Sequence, residues 1–299
     1  MIYCVPLKFT LKLSRMTLEN YLENQLNKST ISNYLYEINR FKKYAHNHEK
    51  CHYPQLMQYI GFLRNYYQPK TIKRVVYALK KYYDYLIEIE VRKDNPAHFI
   101  KLRDAKQTAV QLQDLWTEKE LKTLLEPRKE RYAILAKRNQ IILSLFVHQA
   151  VLVKEVTQIL LEDINLDKAE IYIRETGMTN SRTLSLKAEQ ILLFYHYLQE
   201  DRPQLERTKQ SFFILNKLGN PTTSDDINYL LSTYQKQVDK RLTSVKIRQS
   251  VITNLLSQGH NLRAVQLFCG HKFLDTTEKY KQTGIKALQD AIEKHHPLQ

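Results

Sequence analysis

The sequence predicts a mainly α-helical protein with one small antiparallel sheet, built as two domains. Apolar residues recur at three-and-four spacing along most of the 299 residues. Only the stretch from Glu170 to Leu186 holds two short strand-like runs around a turn-forming centre. Asn95-Pro96 and the polar, aperiodic segment after it break the helical pattern about one third of the way along. These breaks divide the chain into an N-terminal extension (1–16), a helical domain (17–103), a linker (104–114) and a second domain (115–299).

In the first domain Thr30 is placed to cap a helix running to about His46, with Ile31, Tyr34, Leu35, Ile38 and Phe41 on its buried stripe. A second helix is expected from Pro54 to about Tyr67, and a third from Thr71 to about Ile89. On the third, Ile72, Val75 or Val76, Leu79, Tyr82 and Leu86 mark an apolar face, while Lys70, Lys73, Arg74, Tyr77 and Lys81 share another. With Lys42 and Lys43, that second face is the candidate DNA-contacting surface. Residues 1–108 carry 19 Lys and Arg against 9 Asp and Glu, a net of +10 within a chain total of +15. Clustered cations with interleaved tyrosine suit a polyanion. A plainly solvated face is the competing reading of the same stripe.

The second domain opens on Thr117-Glu118-Lys119-Glu120, a capping box ahead of Leu121, Leu124 and Leu125. Helices are expected over roughly 131–147 and 153–160, then a hairpin pairing 170–174 with 183–186 around Gly177-Met178-Thr179-Asn180. Further helices are expected at about 188–200, 224–238, 245–258, 261–268 and 284–295.

Composition excludes several classes. The longest apolar stretch, Ile141 to Val147, is far below the ~20 residues of a membrane span. Lys8, Lys12 and Arg15 interrupt the N-terminal apolar residues and no clear cleavage site follows, so a cytoplasmic protein without membrane contact is expected. Cys4, Cys51 and Cys269 are too few and too scattered for a disulfide framework or a four-cysteine zinc site. His46, His48, Cys51 and His52 cluster at a helix end without a second ligand group at finger spacing, so no metal is expected. Neither a Walker loop nor a dinucleotide fingerprint occurs, and no cofactor is expected.

Three residues stand out for chemistry: Arg248 in Thr243-Ser244-Val245-Lys246-Ile247-Arg248-Gln249-Ser250, and His271 and Tyr280 in Cys269-Gly270-His271-Lys272-Phe273-Leu274-Asp275-Thr276-Thr277-Glu278-Lys279-Tyr280. On these motifs and their spacing the chain resembles the tyrosine recombinase, or phage integrase, family, and specifically its Xer-like site-specific recombinases. The resemblance implies an α-helical, SAM-like core-binding domain over 17–103, including a helix ending in Asn95-Pro96-Ala97, and a mixed α/β catalytic domain over 115–299. It also implies a homo-oligomer on double-stranded DNA, a tetramer at synapsis, clamping the duplex between the two domains. An accessory DNA-bending protein or a second recombinase are further partners it allows.

By the resemblance, Tyr280 attacks the scissile phosphate, giving a 3′-phosphotyrosyl link and a free 5′-hydroxyl. The bond energy is retained, so neither nucleotide nor metal is needed. A phenol of pKa near ~10 needs surrounding positive charge to act as a nucleophile. Arg248 suits the non-bridging oxygens and His271 a further hydrogen bond to them. Thr276 and Thr277 are placed to cap the short helix presenting Tyr280.

Three positions depart from the family pattern. Leu152 stands where the family has an arginine, Thr176-Gly177-Met178-Thr179-Asn180 lacks the hairpin lysine, and Val245 replaces a histidine. A lost general acid costs ~10²–10⁴-fold and a lost phosphate donor ~10²–10³-fold. Lys154 is a candidate for the first charge, and Arg174 or Arg182 for the second, while Glu155 is placed to orient Arg248. The last predicted helix, with Ile285, Leu288, Ala291 and Ile292 on one face, either docks on a neighbouring protomer or packs on its own domain. Three functions are therefore open: a working but divergent recombinase, a catalytically impaired relative kept as a DNA-binding or architectural protein, and an unrelated helical transcription regulator.

Overall fold

A computed structural model describes residues 16–103 and 112–281. The predicted helix at 284–295, the first 15 residues and most of the linker lie outside the described residues. The chain divides into two compact units, separated at Thr108–Ala109.

The first unit contains α1 (Leu18–Glu23), α2 (Lys28–Tyr44), α3 (Tyr53–Arg64) and α4 (Pro69–Glu88). Helix α2 begins before the expected Thr30, because Asn27 is its cap: Asn27 Oδ1 accepts from the Thr30 backbone N–H at 3.2 Å and from its hydroxyl at 2.8 Å. Helix α4 starts on Pro69, whose missing N–H costs nothing in a first turn. It ends at Glu88 and does not reach Asn95-Pro96-Ala97. There Asn95 instead ties a turn to α4, donating to the Lys80 carbonyl at 2.9 Å and to Asp84 at 2.7 Å. The core interleaves Ile38 and Phe41, Leu56, Tyr59 and Leu63, and Val75, Leu79, Tyr83 and Leu86. His48 is drawn to that core: its Nδ1 lies 2.6 Å from the Tyr82 hydroxyl and its carbonyl accepts from Tyr83 at 2.7 Å.

The second unit opens on α5 (Glu118–Thr123), where Thr117 and Glu120 form the reciprocal box, Glu120 Oε2 accepting from the Thr117 backbone at 2.7 Å. Helix α6 (Ala136–Gln149) is buried nearly all round through Ile141, Ile142, Leu143, Leu145 and Phe146. Each such side chain contributes roughly 1.5–3 kcal/mol by leaving water, which makes α6 the axis of the unit. A short α7 (Val153–Val156) leads to a three-stranded antiparallel sheet: β1 (Ile164–Asn165), β2 (Glu170–Ile173) and β3 (Arg182–Ser185). Ile171 faces Leu184 across the ladder, both buried, while the Tyr172–Thr183 pair points to solvent. After it come α8 (Ala188–His196), α9 (Arg202–Leu205), α10 (Ser224–Gln235), α11 (Ser244–Ser257), α12 (Leu262–Cys269) and α13 (Leu274–Lys281).

The helices expected at 131–147 and 153–160 are shorter, starting at Ala136 and stopping at Val156, and the two-residue β1 adds a strand to the hairpin. Thr276 and Thr277 lie inside α13 rather than capping it. Among the described residues no helix is long and apolar enough to cross a membrane, and no group of three His, Cys, Asp or Glu side chains is arranged to hold a metal ion.

Candidate active site

Four chain segments converge in the second unit. Helix α6 ends at Ala150, whose left-handed backbone (φ 49°) turns its carbonyl toward α11. Helix α11 is started by Thr243, which accepts from the Lys246 N–H at 3.1 Å, so Arg248 comes one turn in. Helix α12 is capped by Asn261 and ends at Gly270 (φ 69°), where a side chain would meet the Asn180 carbonyl at 2.8 Å and Arg182 at 2.7 Å. His271 follows immediately, and α13 brings Thr277 and Tyr280. Beneath them a small cluster of Ile252, Val265 and Cys269 fixes α11, α12 and α13 against one another, with Tyr280 packed on it.

Arg248 is 5% exposed. Its Nη1 donates to the Ala150 carbonyl and its Nη2 to the Cys269 carbonyl at 2.6 Å, while Glu155 stands 3.9 Å from Nη1. The two carbonyls fix the plane of the guanidinium and leave Nε–H and one hydrogen on each terminal nitrogen for an anion. Burial lowers its pKa, yet a guanidinium keeps its charge. The neighbouring Cys269 thiol is pushed up to about 11 by burial and stays neutral.

His271 is lowered to about 4 by burial first and then by the charges of Arg248 and Arg182, so it is neutral near pH 7. Its Nδ1 lies 2.8 Å from the Thr277 hydroxyl. With that hydroxyl donating to Nδ1, the ring hydrogen sits on Nε2, where it is a hydrogen-bond donor. The rings of His271 and Tyr280 stack at 6.4 Å between centroids, inclined by 15°. Burial raises the Tyr280 hydroxyl, and the Arg248 charge and a hydrogen bond with Gln249 pull it back.

Below this set lies a buried ion pair. Glu155 has no exposed side-chain surface and Arg182 only 6%. Glu155 accepts from Arg182 Nη1 at 2.7 Å and Nη2 at 3.1 Å, from the Thr179 hydroxyl at 2.6 Å and from the Leu152 backbone at 2.7 Å. Arg182 Nε donates to the Phe268 carbonyl at 2.7 Å. Arg182 is thus a strut joining the hairpin, α7 and α12, and is committed to Glu155 rather than offered to a leaving group. Arg174 is not brought to the site: it is held by Glu162 at 2.5 Å and Asp163 at 2.8 Å. Lys154 is exposed and, among the described residues, has no ion-pair partner.

The basic residues singled out in the first unit lie on two of its helices, α2 and α4. Lys70, Lys73, Arg74 and Tyr77 are exposed along α4, and Lys43 is exposed on α2. Lys81 donates to Gln25 at 2.6 Å, and the Lys42 ammonium lies 5.0 Å over the Tyr82 ring. Two residues the sequence did not single out join them. Glu37, 1% exposed, pairs with Arg40 at 2.7 Å and with Arg74 at 2.9 Å.

The structure thus brings a buried arginine, a neutral histidine and Tyr280 together at one place in the second unit. Residues 115–285 match the phage integrase family and residues 11–89 match the N-terminal SAM-like domain of phage integrases. The chain belongs to the phage integrase family. It is 27% identical over 232 residues to tyrosine recombinase XerC of Listeria monocytogenes serotype 4b (strain F2365), covering 76% of each chain. It is 25% identical over 287 residues to XerC of Pediococcus pentosaceus, covering 92% of this chain and 94% of that one. Its fold is similar to a post-cleavage complex of XerH site-specific recombinase bound to palindromic difH substrate (TM-score 0.72, 20% identity, 87% of this chain and 78% of that one). It is also similar to a lambda integrase dimer bound to a COC′ core site (TM-score 0.65, 14% identity, 93% and 78%).

Proposed function

We propose that this chain is a DNA recombinase that cleaves and rejoins strands through Tyr280, at a rate lowered by its missing cations. The observation that carries the reading is the convergence of Arg248, His271 and Tyr280 on one buried frame. The free N–H groups of Arg248 receive the non-bridging oxygens, and Nε2–H of His271 adds a further bond, stabilising the charge that builds as the Tyr280 oxygen attacks. The phosphodiester passes to Tyr280, a 5′-hydroxyl leaves, and the reverse attack by a 5′-hydroxyl restores the strand. Lys154, on the first turn after Leu152, is the exposed cation that can approach the same phosphate. The basic face of α4 holds the duplex backbone, and phosphate contacts there position the protein without reading sequence. A tetramer on DNA completes this reading.

One observation favours the second reading, a cleavage-impaired relative that binds DNA. Arg174 and Arg182, the candidates to assist the leaving oxygen, are both engaged by carboxylates. One experiment decides between the two. A binding site is selected from a random duplex pool and rebuilt with a nick that lets the cleaved fragment diffuse away; products are resolved on a denaturing gel. A covalent band with wild type, absent in Tyr280→Phe, is expected. Tight binding without such a band overturns cleavage and leaves the DNA-binding reading.

A further inference from the structure

The second unit holds a second basic cavity that shares no residue with Arg248, His271 or Tyr280. It has a volume of about 380 Å³ and lies among the 128–132 segment, the start of α6, the 216–217 turn and α10. Its walls carry Arg128, Lys129, Arg131, Arg138 and Lys217 against only Glu130 and Asp226.

Arg138 is the informative member. It is 6% exposed and, among the described residues, makes no ion pair within 4 Å, although the charges of Asp226 and Glu130 act on it from further off. Its Nε and Nη2 donate to Asn139 Oδ1 at 3.0 and 2.7 Å, and its Nη1 to the Leu215 carbonyl at 3.4 Å. Both acceptors are neutral. The two carboxylates of the cavity make their own hydrogen bonds and act on Arg138 only through space. Glu130 is taken by Arg128 at 2.9 Å and by the Tyr234 hydroxyl at 3.3 Å. Asp226 caps α10, accepting from the Thr223 N–H at 2.8 Å and its hydroxyl at 2.9 Å.

Five cationic side chains against two carboxylates leave an excess of positive charge around a buried guanidinium, and an anion entering the cavity offsets the cost of that burial. Arg138 retains unused N–H hydrogens on Nη1 and Nη2, in the fork geometry that suits phosphate oxygens. At the mouth, exposed Lys217 lies 3.6 Å from the centre of the Tyr132 ring and Arg131 5.3 Å from it, which gathers positive charge at the entrance. We propose that this cavity is a phosphate-class anion site, anchored by Arg138 and gated by Arg131 and Lys217. Two sources supply that chemistry: a backbone phosphate of bound duplex, or a free phosphate-bearing small molecule. The proposal is independent of whether Tyr280 cleaves.

The test uses the full chain, with inorganic pyrophosphate as the probe, titrated calorimetrically into the millimolar range. The main variant is Arg131→Gln with Lys217→Gln, both on exposed side chains and so safe for folding. Lys119→Gln with Lys168→Gln, exposed in the second unit and outside the cavity, is the charge-matched control. Saturable binding to wild type and to the control, weakened about tenfold or more in the Arg131/Lys217 variant, is the expected result. Repeating the titration with the selected duplex prebound separates the sources: loss of pyrophosphate binding assigns the site to the DNA backbone, and retention assigns it to a free ligand. Absence of saturable binding, or equal weakening in variant and control, overturns the site.

Discussion

Replacing Glu155 by glutamine tests whether the buried ion pair frames the active site. The substitution keeps shape and removes charge, leaving Arg182 and Arg248 both buried and uncompensated. It also turns an amide N–H₂ toward two of the four donors that now surround the carboxylate. Breaking one side of such a pair costs about 3–5 kcal/mol. At roughly 2–4 °C per kcal/mol for a unit of this size, the melting transition falls by roughly 6–20 °C. The protein contains a single tryptophan, Trp116, which is 4% exposed in the second unit, so its fluorescence reports that unit's unfolding separately from the first. A pH series adds a second signature. Burial alone raises the Glu155 carboxyl, but Arg182, Thr179 and the Leu152 N–H bring the net shift below the ordinary value of 4.5. A depressed carboxyl stabilises the fold above its unfolded pKa and loses that contribution as pH falls through the folded value. Wild type therefore gains an acid-sensitive limb below pH 4.5 that Glu155→Gln lacks. A loss under about 1 kcal/mol, or an unchanged acid limb, refutes the frame.

Restoring the missing cation by Leu152→Arg, at a half-buried position outside the core, should speed covalent complex formation by ~10²–10³-fold in single-turnover assays on the nicked duplex. His271, depressed from 6.5 to about 4, contributes about 3 kcal/mol of stability that is complete above pH 6.5 and lost as pH falls toward 4. His271→Asn should therefore flatten the denaturant midpoint between those pH values. Gly270→Ala should cost about 2 kcal/mol or more by urea titration, since the left-handed backbone and the close Asn180 carbonyl and Arg182 guanidinium both resist a methyl group.

Arg248, His271 and Tyr280 were legible because each sits in a short linear motif whose spacing survives in the chain. What joins them was not. Glu155 and Arg182 meet across 27 positions and Glu37 and Arg74 across 37, and no local periodicity encodes either pairing. Thr at a helix start is a familiar capping signal, but Leu274 begins the helix that carries Thr277, and the buried hydroxyl turns to the His271 ring. Arg174 has a place beside the hairpin that suggests a replacement cation. Its fate depended on β1, a two-residue strand too short to read, which sets the sheet beside Glu162 and Asp163. In the first unit the helical stripes were plain, but Asn27 won the cap from Thr30 because its carboxamide reaches both the backbone and the hydroxyl of that residue.

Recombination through Tyr280 requires a covalent bond between this protein and a DNA 3′ end. The direct measurement is peptide mapping by mass spectrometry of the protein–DNA adduct trapped on the nicked duplex, after nuclease and protease digestion. The predicted result is a nucleotide mass on the peptide containing Tyr280 and on none of the other 19 tyrosines among the chain's 20. No adduct, or an adduct at another residue, would contradict it.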